Sequence, residues 1–172
     1  MLQAETSYFR NQTILAMPLA IGQPAPDFLL YSSDKQPVRL SELRGQNVLL
    51  LFFPLAFTST CTAELCSVRD DLTSYDNMNA TVFGISVDAP QTLARFKSEL
   101  GLNFTLLSDF NKEASTDHNA IYEVFSVGLK GVSKRAAFII DAEGTLRYAE
   151  VLENASELPN FDKIRAILTN LN

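Results

Sequence analysis

Residues 48–66 of the chain read Val48-Leu-Leu-Leu-Phe-Phe-Pro-Leu-Ala-Phe-Thr-Ser-Thr-Cys-Thr-Ala-Glu-Leu-Cys66. The run 48–53 is continuously apolar, which is typical of a central strand covered on both faces, and Pro54 ends it. After a short loop, residues recur at spacings of four and three, as on one face of a helix: Cys61, Leu65, Val68, Leu72 and Tyr75. The sequence therefore predicts a strand–loop–helix unit with Cys61 in the first turn of its helix.

The rest of the chain alternates the same two kinds of element. A buried strand is predicted at 81–87 and is followed by a helix at 90–100. A short strand at 104–107 comes next, and then a weaker helix that runs through Asn119. Short strands at 28–31 and 37–40 come before these elements; a hairpin of strands 136–140 and 146–151 and a helix at 160–171 come after them. This order predicts an α/β fold with a central mixed β-sheet flanked by helices.

Length, charge and composition exclude several classes of protein. The 172 residues predict a single domain, which we place at 21–172 after an N-terminal extension at 1–20. The net charge of −6 argues against a nucleic-acid partner, and no apolar run is long enough to span a membrane. The first 20 residues lack the basic start and unbroken apolar stretch of a signal peptide, which predicts a cytoplasmic protein. One His and two Cys cannot form an ordinary four-ligand zinc site, so the chemistry is expected at the cysteines.

Cys61 is the first candidate for a reactive group. The free N–H groups and the positive dipole end of a helix N-terminus favour the anionic form of a thiol placed there. Thr58, three residues earlier, can offer its hydroxyl to the sulfur or to a bound oxygen. The alternative is a buried core cysteine, the more common role for a free cysteine at the head of an apolar stripe, but the adjacent loop favours the reactive role.

Cys66 lies five residues after Cys61, so geometry limits how the two can react. On an intact helix, their Cα atoms are roughly 8.7 Å apart, and a disulfide needs Cα atoms within about 7 Å. A Cys61–Cys66 disulfide therefore requires the first helical turn to unwind, as helix ends can do by local unfolding. The alternative is that Cys66 is a small helix residue that never forms a disulfide.

These residues carry a resemblance to the peroxiredoxins, thiol peroxidases of the thioredoxin-like fold. The pattern Pro54-x-x-x-Thr58-x-x-Cys61 resembles their active-site motif. The segment from Cys61 to Cys66 resembles the bacterioferritin comigratory protein, or peroxiredoxin Q, branch, whose resolving cysteine lies five positions after the first. The loop at 54–58 and Leu107-Ser-Asp-Phe110 are more similar to the AhpE-like branch, usually a one-cysteine type. The resemblance extends from about Ile21 to the C-terminus, and implies a thioredoxin-like peroxiredoxin domain at 21–172.

The resemblance also implies a role for each matching residue. Cys61 corresponds to the peroxidatic cysteine, and Cys66 to the resolving one. Thr58 corresponds to the hydroxyl that binds peroxide and Pro54 to the residue that shields the pocket. Arg135, in Lys134-Arg-Ala-Ala-Phe-Ile-Ile-Asp141, corresponds to the arginine that stabilises the thiolate and the developing charge, a role suited to a guanidinium. Glu64 corresponds to the glutamate that orients this arginine or the helix; alternatively, it is a carboxylate favoured by the helix dipole.

The function so implied is a thiol-dependent peroxidase that reduces hydrogen peroxide and organic hydroperoxides without a metal or organic cofactor. The Cys61 sulfenic acid is expected to condense with Cys66, and thioredoxin or a similar dithiol to reduce the disulfide. Alternatives are a one-cysteine peroxidase resolved by an external thiol and a redox-sensing interaction protein. A general thiol–disulfide oxidoreductase is disfavoured because such enzymes typically use a Cys-x-x-Cys pair. In a pair that starts at Cys61, the second cysteine would be residue 64, which is Glu64 here.

Two further expectations concern aromatic and titratable residues outside the motif. Phe57 and Phe110 are expected to be exposed and able to support a dimer, so both a monomer and a homodimer stay open. His118 is expected to be a polar helix residue, since the sequence offers no second His for a metal site.

Overall fold

The central strand of the fold is β3 (Asn47–Phe52), in which every residue is buried. The computed structural model describes residues 19–171, and the predicted N-terminal extension lies almost wholly outside them. The other strands are β1 (Leu29–Ser32), β2 (Pro37–Arg39), β4 (Ala80–Ser86), β5 (Thr105–Ser108), β6 (Ile121–Tyr122), β7 (Val132–Ser133), β8 (Arg135–Ile140) and β9 (Leu146–Leu152). The helices are α1 (Ser59–Asp70), α2 (Leu72–Asn77), α3 (Pro90–Leu100), α4 (Glu113–Asp117) and α5 (Phe161–Asn170), with short 3-10 turns at Leu40–Glu42 and Ser126–Gly128.

Seven strands form one mixed sheet in the order β2-β1-β5-β4-β3-β8-β9. β3, β4 and β5 run parallel to one another, whereas β8 pairs antiparallel with β3 and with β9, and β1 pairs antiparallel with β5 and with β2. β6 and β7 form a separate two-stranded ribbon. The predicted central mixed sheet flanked by helices is confirmed.

Alternate residues of β3 face two different hydrophobic cores. Leu49 and Leu51 pack with apolar residues of α1, α2, α3 and α5, while Leu50 and Phe52 pack on the opposite face against residues near β1 and α4. This explains the unbroken apolar run in the sequence, because a strand covered on both faces needs no polar side. No helix within residues 19–171 has the length and apolar character needed to cross a membrane.

The helix predicted from the stripe between Cys61 and Tyr75 is in fact two helices. α1 ends at Asp70, and Asp71 leaves helical geometry with φ −108° and ψ 11°. The Asp71 carboxylate accepts a hydrogen bond from the Ser74 hydroxyl, at 2.6 Å, as α2 begins. The apolar stripe therefore continues through a break in the helical backbone at Asp71.

The predictions around Asn119 are also wrong. α4 covers only five residues and ends at Asp117, and Asn119 has the left-handed φ of 53° that stops a helix. His118 lies after the end of α4 and is fully buried rather than the polar helix residue expected, and its ring packs against Phe52 and Phe138 at centroid distances of 5.4 and 5.0 Å. Its Nδ1 lies 2.8 Å from the Ala114 carbonyl oxygen, and burial lowers the pKa of His118. His118 therefore belongs to the aromatic core.

Candidate active site

The loop between β3 and α1 brings Cys61 to the end of the central strand. Pro54 is buried, Phe57 adopts a left-handed φ of 63°, and Thr58 is the N-cap of α1. Cys61 is the third residue of the helix and only 1% exposed, as predicted for the first helical turn. The Thr58 side chain does not cap α1; its hydroxyl donates instead to the Leu55 carbonyl oxygen at 2.9 Å. The first N–H groups of the helix are therefore left without that usual acceptor.

Arg135 reaches this helix end because of strand pairing. β8 lies antiparallel beside β3, with Ala136 opposite Phe52, so Arg135 at the start of β8 lies level with the end of β3. Its Nη2 atom donates to Cys61 Sγ at 3.3 Å, and its Nη1 atom donates to the Glu64 carboxylate. Two residues separated by 74 positions in the chain are thus brought into direct contact.

The carbonyl of Ala155 completes the surroundings of Arg135. Arg135 Nη2 and Nε donate to the Ala155 oxygen at 3.0 and 3.3 Å. The planar guanidinium is thereby held by contacts along its edge to one thiol, one carboxylate and one carbonyl. Nothing in the sequence around Ala155 indicates this role, because any residue can supply a backbone carbonyl.

Glu64 and Arg135 form a buried ion pair in which each is at most 1% exposed. Burial raises the pKa of Glu64 from 4.5 to about 7, against the opposing charge and hydrogen bond of Arg135. Burial acts to lower the pKa of Arg135, but the charges of Glu64 and Cys61 outweigh it and raise that pKa. The second carboxylate oxygen of Glu64, Oε1, has no hydrogen-bond partner in the described part of the chain. Glu64 and Cys61 therefore share one buried cation.

A cleft of about 170 Å³ opens at this position, lined among others by Pro54, Thr58, Phe125, Arg135, Ala155 and Ser156. Thr58 is exposed to the cleft region, and since its proton is donated to Leu55, its oxygen keeps lone pairs that can accept a hydrogen bond. Pro54, Thr58 and Arg135 therefore line one opening, and Arg135 also donates a hydrogen bond to the buried Cys61 Sγ.

Cys66 lies one and a half turns further along α1 and is half-buried. Both cysteines are free thiols, and the helix is continuous from Ser59 to Asp70. Cys66 therefore shares the helix of Cys61, and neither cysteine is among the residues that line the cleft.

Asp88 is a residue of the site that sequence reasoning missed. Its Oδ2 atom accepts hydrogen bonds from the Ala56 N–H at 2.8 Å and from the Ser86 hydroxyl at 2.7 Å. The Asp88 carbonyl accepts from the Ser108 hydroxyl at 2.6 Å. The loop that leads to Cys61 is thus fastened to the ends of β4 and β5. The position of Asp88, just after the buried strand predicted at 81–87, could have indicated it, because ligand sites of α/β folds lie at the carboxyl ends of parallel strands.

Comparison with known proteins agrees with this architecture. Residues 21–149 match the AhpC/TSA family. The chain is 39% identical over 136 residues to alkyl hydroperoxide reductase E of Mycobacterium tuberculosis, covering 77% of this chain and 86% of that protein. It is 37% identical over 133 residues to peroxiredoxin Bcp of Escherichia coli, covering 76% of this chain and 85% of that protein.

The fold is likewise shared with a solved structure. The crystal structure of peroxidoxin BcpB from Mycobacterium tuberculosis superposes with a TM-score of 0.78, at 28% identity, over 90% of this chain and 99% of that one. The thioredoxin-like fold expected from the resemblance is confirmed. Because both the family match and the identity to these relatives extend over most of the sequence, the chain belongs to the AhpC/TSA family and is a peroxiredoxin.

Proposed function

We propose that Cys61 is the peroxidatic cysteine and that the protein reduces hydrogen peroxide and organic hydroperoxides. The observation that carries this proposal is the 3.3 Å contact between Arg135 Nη2 and Cys61 Sγ at the start of a helix. A guanidinium and a helix N-terminus both favour the thiolate, which is the nucleophilic form of cysteine. The name of the alkyl hydroperoxide reductase relative supports organic hydroperoxides as substrates.

In the proposed reaction, the peroxide enters the cleft and its O–H donates to the Thr58 oxygen. The Cys61 thiolate attacks the terminal peroxide oxygen, so that the S–O bond forms as the O–O bond breaks. Cys61 is oxidised to a sulfenic acid, and the peroxide is reduced to an alkoxide or hydroxide that takes up a proton and leaves as alcohol or water. Arg135 and the free N–H groups at the start of α1 stabilise the negative charge on the departing oxygen.

The proposal assigns resolution of the sulfenic acid to Cys66. Its thiol attacks the Cys61 sulfenic sulfur, which forms a disulfide and releases water. The first turn of α1 must unwind for this step, because the helix otherwise holds the two Cα atoms roughly 8.7 Å apart. Thioredoxin or a similar dithiol then reduces the disulfide by thiol–disulfide exchange. Pro54 shields the thiolate from solvent, and Glu64 orients Arg135.

Intact mass spectrometry after one equivalent of hydrogen peroxide tests the cysteine chemistry. A loss of about 2 Da indicates the internal disulfide, whereas a gain of about 16 Da indicates a stable sulfenic acid and contradicts resolution by Cys66. The Cys61→Ser variant is the control and should show neither change. Oxidation of wild-type Cys61 at the rate of free cysteine would contradict the peroxidase mechanism itself.

The Cys66→Ser variant separates the two-cysteine from the one-cysteine mechanism. We expect it to consume one equivalent of peroxide and then to stop when thioredoxin is the reductant, since no disulfide can form. NADPH oxidation, coupled through thioredoxin reductase, measures the turnovers. Continued turnover of Cys66→Ser at the wild-type rate would show that an external thiol resolves Cys61.

A further inference from the structure

The segment 153–156, which follows β9, supplies the carbonyl that holds the active-site arginine. Leu152 is the last residue of β9 and pairs with Arg135, so strand pairing fixes the chain only up to that point. Two residues beyond Glu153, the Ala155 carbonyl accepts hydrogen bonds from Arg135 Nη2 and Nε at 3.0 and 3.3 Å. The orientation of the guanidinium therefore depends on the contacts that hold this segment in place.

Tyr122, in the ribbon of β6 and β7, supplies one of these contacts. Its hydroxyl donates to the Glu153 carbonyl oxygen at 2.9 Å. The Glu153 carboxylate also pairs with Lys134 Nζ, which lies 5.6 Å from the centroid of the Tyr122 ring. Burial and the charge of Glu153 raise the pKa of Tyr122 against the opposing charge of Arg135, so the phenol keeps the proton that it donates. The ribbon thus holds the start of the segment through both its backbone and its side chain.

Residues 153–157 form a compact turn, which transmits a contact at its first residue to Ala155. The Asn154 side-chain oxygen accepts from the Ser156 N–H at 3.0 Å, and the Asn154 carbonyl accepts from the Glu157 N–H at 3.1 Å. Most residues of this turn are exposed, so hydrogen bonds rather than burial hold it. Because Ala155 lies inside the turn, release of its first residue would shift the carbonyl relative to the guanidinium.

We propose that Tyr122 is a positioning residue for the oxidation of Cys61. Its hydroxyl fixes the segment 153–156, and the Ala155 carbonyl of this segment then directs the Arg135 guanidinium. The inference rests on the proposed function, because it assumes that Cys61 reduces peroxide with the help of this arginine. Tyr122 is not among the residues that line the cleft, so it acts through Arg135 rather than on the substrate.

The Tyr122→Phe variant removes the hydroxyl and keeps the ring. In a Cys66→Ser background, where Cys61 is the only thiol, stopped-flow measurements give two second-order rate constants. One is for oxidation by hydrogen peroxide and the other for alkylation by iodoacetamide, which uses the same thiolate but develops no charge on a departing oxygen. We expect Tyr122→Phe to lower the ratio of oxidation to alkylation roughly tenfold, because a misplaced guanidinium stabilises that oxygen less well.

Tyr148→Phe is the matched control, since it removes the hydroxyl of another tyrosine that donates a hydrogen bond. Tyr148 lies on β9, and its hydroxyl donates to the Glu150 carboxylate at 2.8 Å. The ratio of this variant should equal that of the Cys66→Ser background. An unchanged ratio in Tyr122→Phe would overturn the inference, and so would an equal fall in Tyr148→Phe, which would indicate a general loss of stability.

Hydrogen-exchange mass spectrometry of the reduced proteins tests the physical cause directly. Deuterium uptake in residues 153–157 should rise in Tyr122→Phe, while uptake in β3 stays low. A lower ratio without greater uptake in that turn would overturn the assignment of the hydroxyl to this segment. A wild-type protein that peroxide oxidises no faster than free cysteine would instead overturn the proposed function, and this inference with it.

Discussion

Glu64 is the residue whose chemistry is changed most by the fold. In the sequence it is a carboxylate near a helix start, which the resemblance assigns to orienting the arginine or the helix, and in the structure it is fully buried beside Arg135. Burial raises the pKa of Glu64 to about 7, and the ionised Glu64 carboxylate is a second negative group on the guanidinium that also donates to Cys61 Sγ. The Glu64 carboxylate and the Cys61 sulfur therefore accept hydrogen bonds from the same arginine.

Glu64→Gln should change how stability depends on pH. The folded state binds the Glu64 proton more tightly than the unfolded state, whose pKa is the ordinary 4.5. The contribution of this proton to stability is therefore complete below about pH 4.5 and is lost as pH rises through about 7. The free energy of unfolding of the wild type, relative to Glu64→Gln, should fall by on the order of 2 kcal/mol over that range.

Urea unfolding of both reduced proteins between pH 4.5 and 8 measures this difference. Subtracting the free energy of unfolding of Glu64→Gln from that of the wild type at each pH cancels the titration of the groups that both proteins share. A difference that stays flat, or that increases with pH, would show that Glu64 is ionised in the folded protein throughout.

At the scale of elements, the β3–α1 loop depends on an acceptor from the end of β4. Asp88→Ala removes the acceptor of the Ala56 N–H and of the Ser86 hydroxyl. We expect the free energy of unfolding to fall by roughly 1–3 kcal/mol, the usual cost of an unsatisfied buried hydrogen-bonding group. The rate of Cys61 oxidation should fall roughly tenfold, because the loop that leads to Thr58 and Cys61 loses its anchor.

The Asp88→Asn variant distinguishes loop positioning from general destabilisation. Its amide oxygen can still accept from Ala56, so the oxidation rate should recover most of the loss. Asp34→Ala, at an exposed turn, serves as the control and should leave the rate unchanged. Wild-type oxidation kinetics in Asp88→Ala would mean that the loop needs no such anchor.

A further prediction concerns α1, because the proposed disulfide requires the first turn of this helix to unwind. Ala63 is exposed and lies between the two cysteines, and glycine destabilises a helix by about 1 kcal/mol relative to alanine. Ala63→Gly should therefore raise the population of the unwound helix and speed disulfide formation about fivefold. The first oxidation of Cys61 should change much less, since it uses the intact helix.

Ala166→Gly is the matched control, because Ala166 is an exposed residue of α5 that lies outside the site. It should destabilise the protein by a similar amount without changing the disulfide rate. Quenched-flow mass spectrometry after one equivalent of peroxide follows both steps. Equal disulfide rates in Ala63→Gly and the wild type would argue against helix unwinding as the limiting event.

For the whole molecule, oxidation should open one helix and leave the sheet intact. β3, β4, β5 and β8 lie between two hydrophobic cores, whereas α1 begins with the exposed Ser59 and the half-buried Thr60. Buried central strands open only by global unfolding, and helix ends open locally. We therefore expect deuterium uptake of the oxidised protein to rise in residues 58–70 and to stay low in β3, β4 and β8.

Hydrogen-exchange mass spectrometry of the reduced and oxidised protein provides the comparison. The Cys66→Ser protein after the same peroxide treatment is the control, since its α1 has no disulfide to form. An increase that extends equally into the central sheet would mean that the disulfide strains the whole domain.

Much of this architecture is predictable because it depends on local patterns. The bounds of β3, β4 and α3 agree with the apolar runs and with Pro90 and Gly101 at the ends of the helix. The break at Asp71 was not predictable from periodicity, because the apolar stripe continues through it from α1 into α2. His118 was misjudged for a related reason: its sequence neighbours are polar, but its ring faces a core assembled from distant strands.

By itself, the sequence determined that this is a mixed α/β domain with a cysteine at the first turn of a helix after a buried strand. Those features follow from hydrophobic periodicity and from proline and turn chemistry, which act between near neighbours. Only the tertiary structure decided that Arg135, Glu64 and Cys61 meet in one buried cluster. It likewise decided that Asp88 accepts a hydrogen bond from the β3–α1 loop and that Phe125 lines the cleft. Such contacts depend on strand order and register, which bring together residues that lie far apart along the chain.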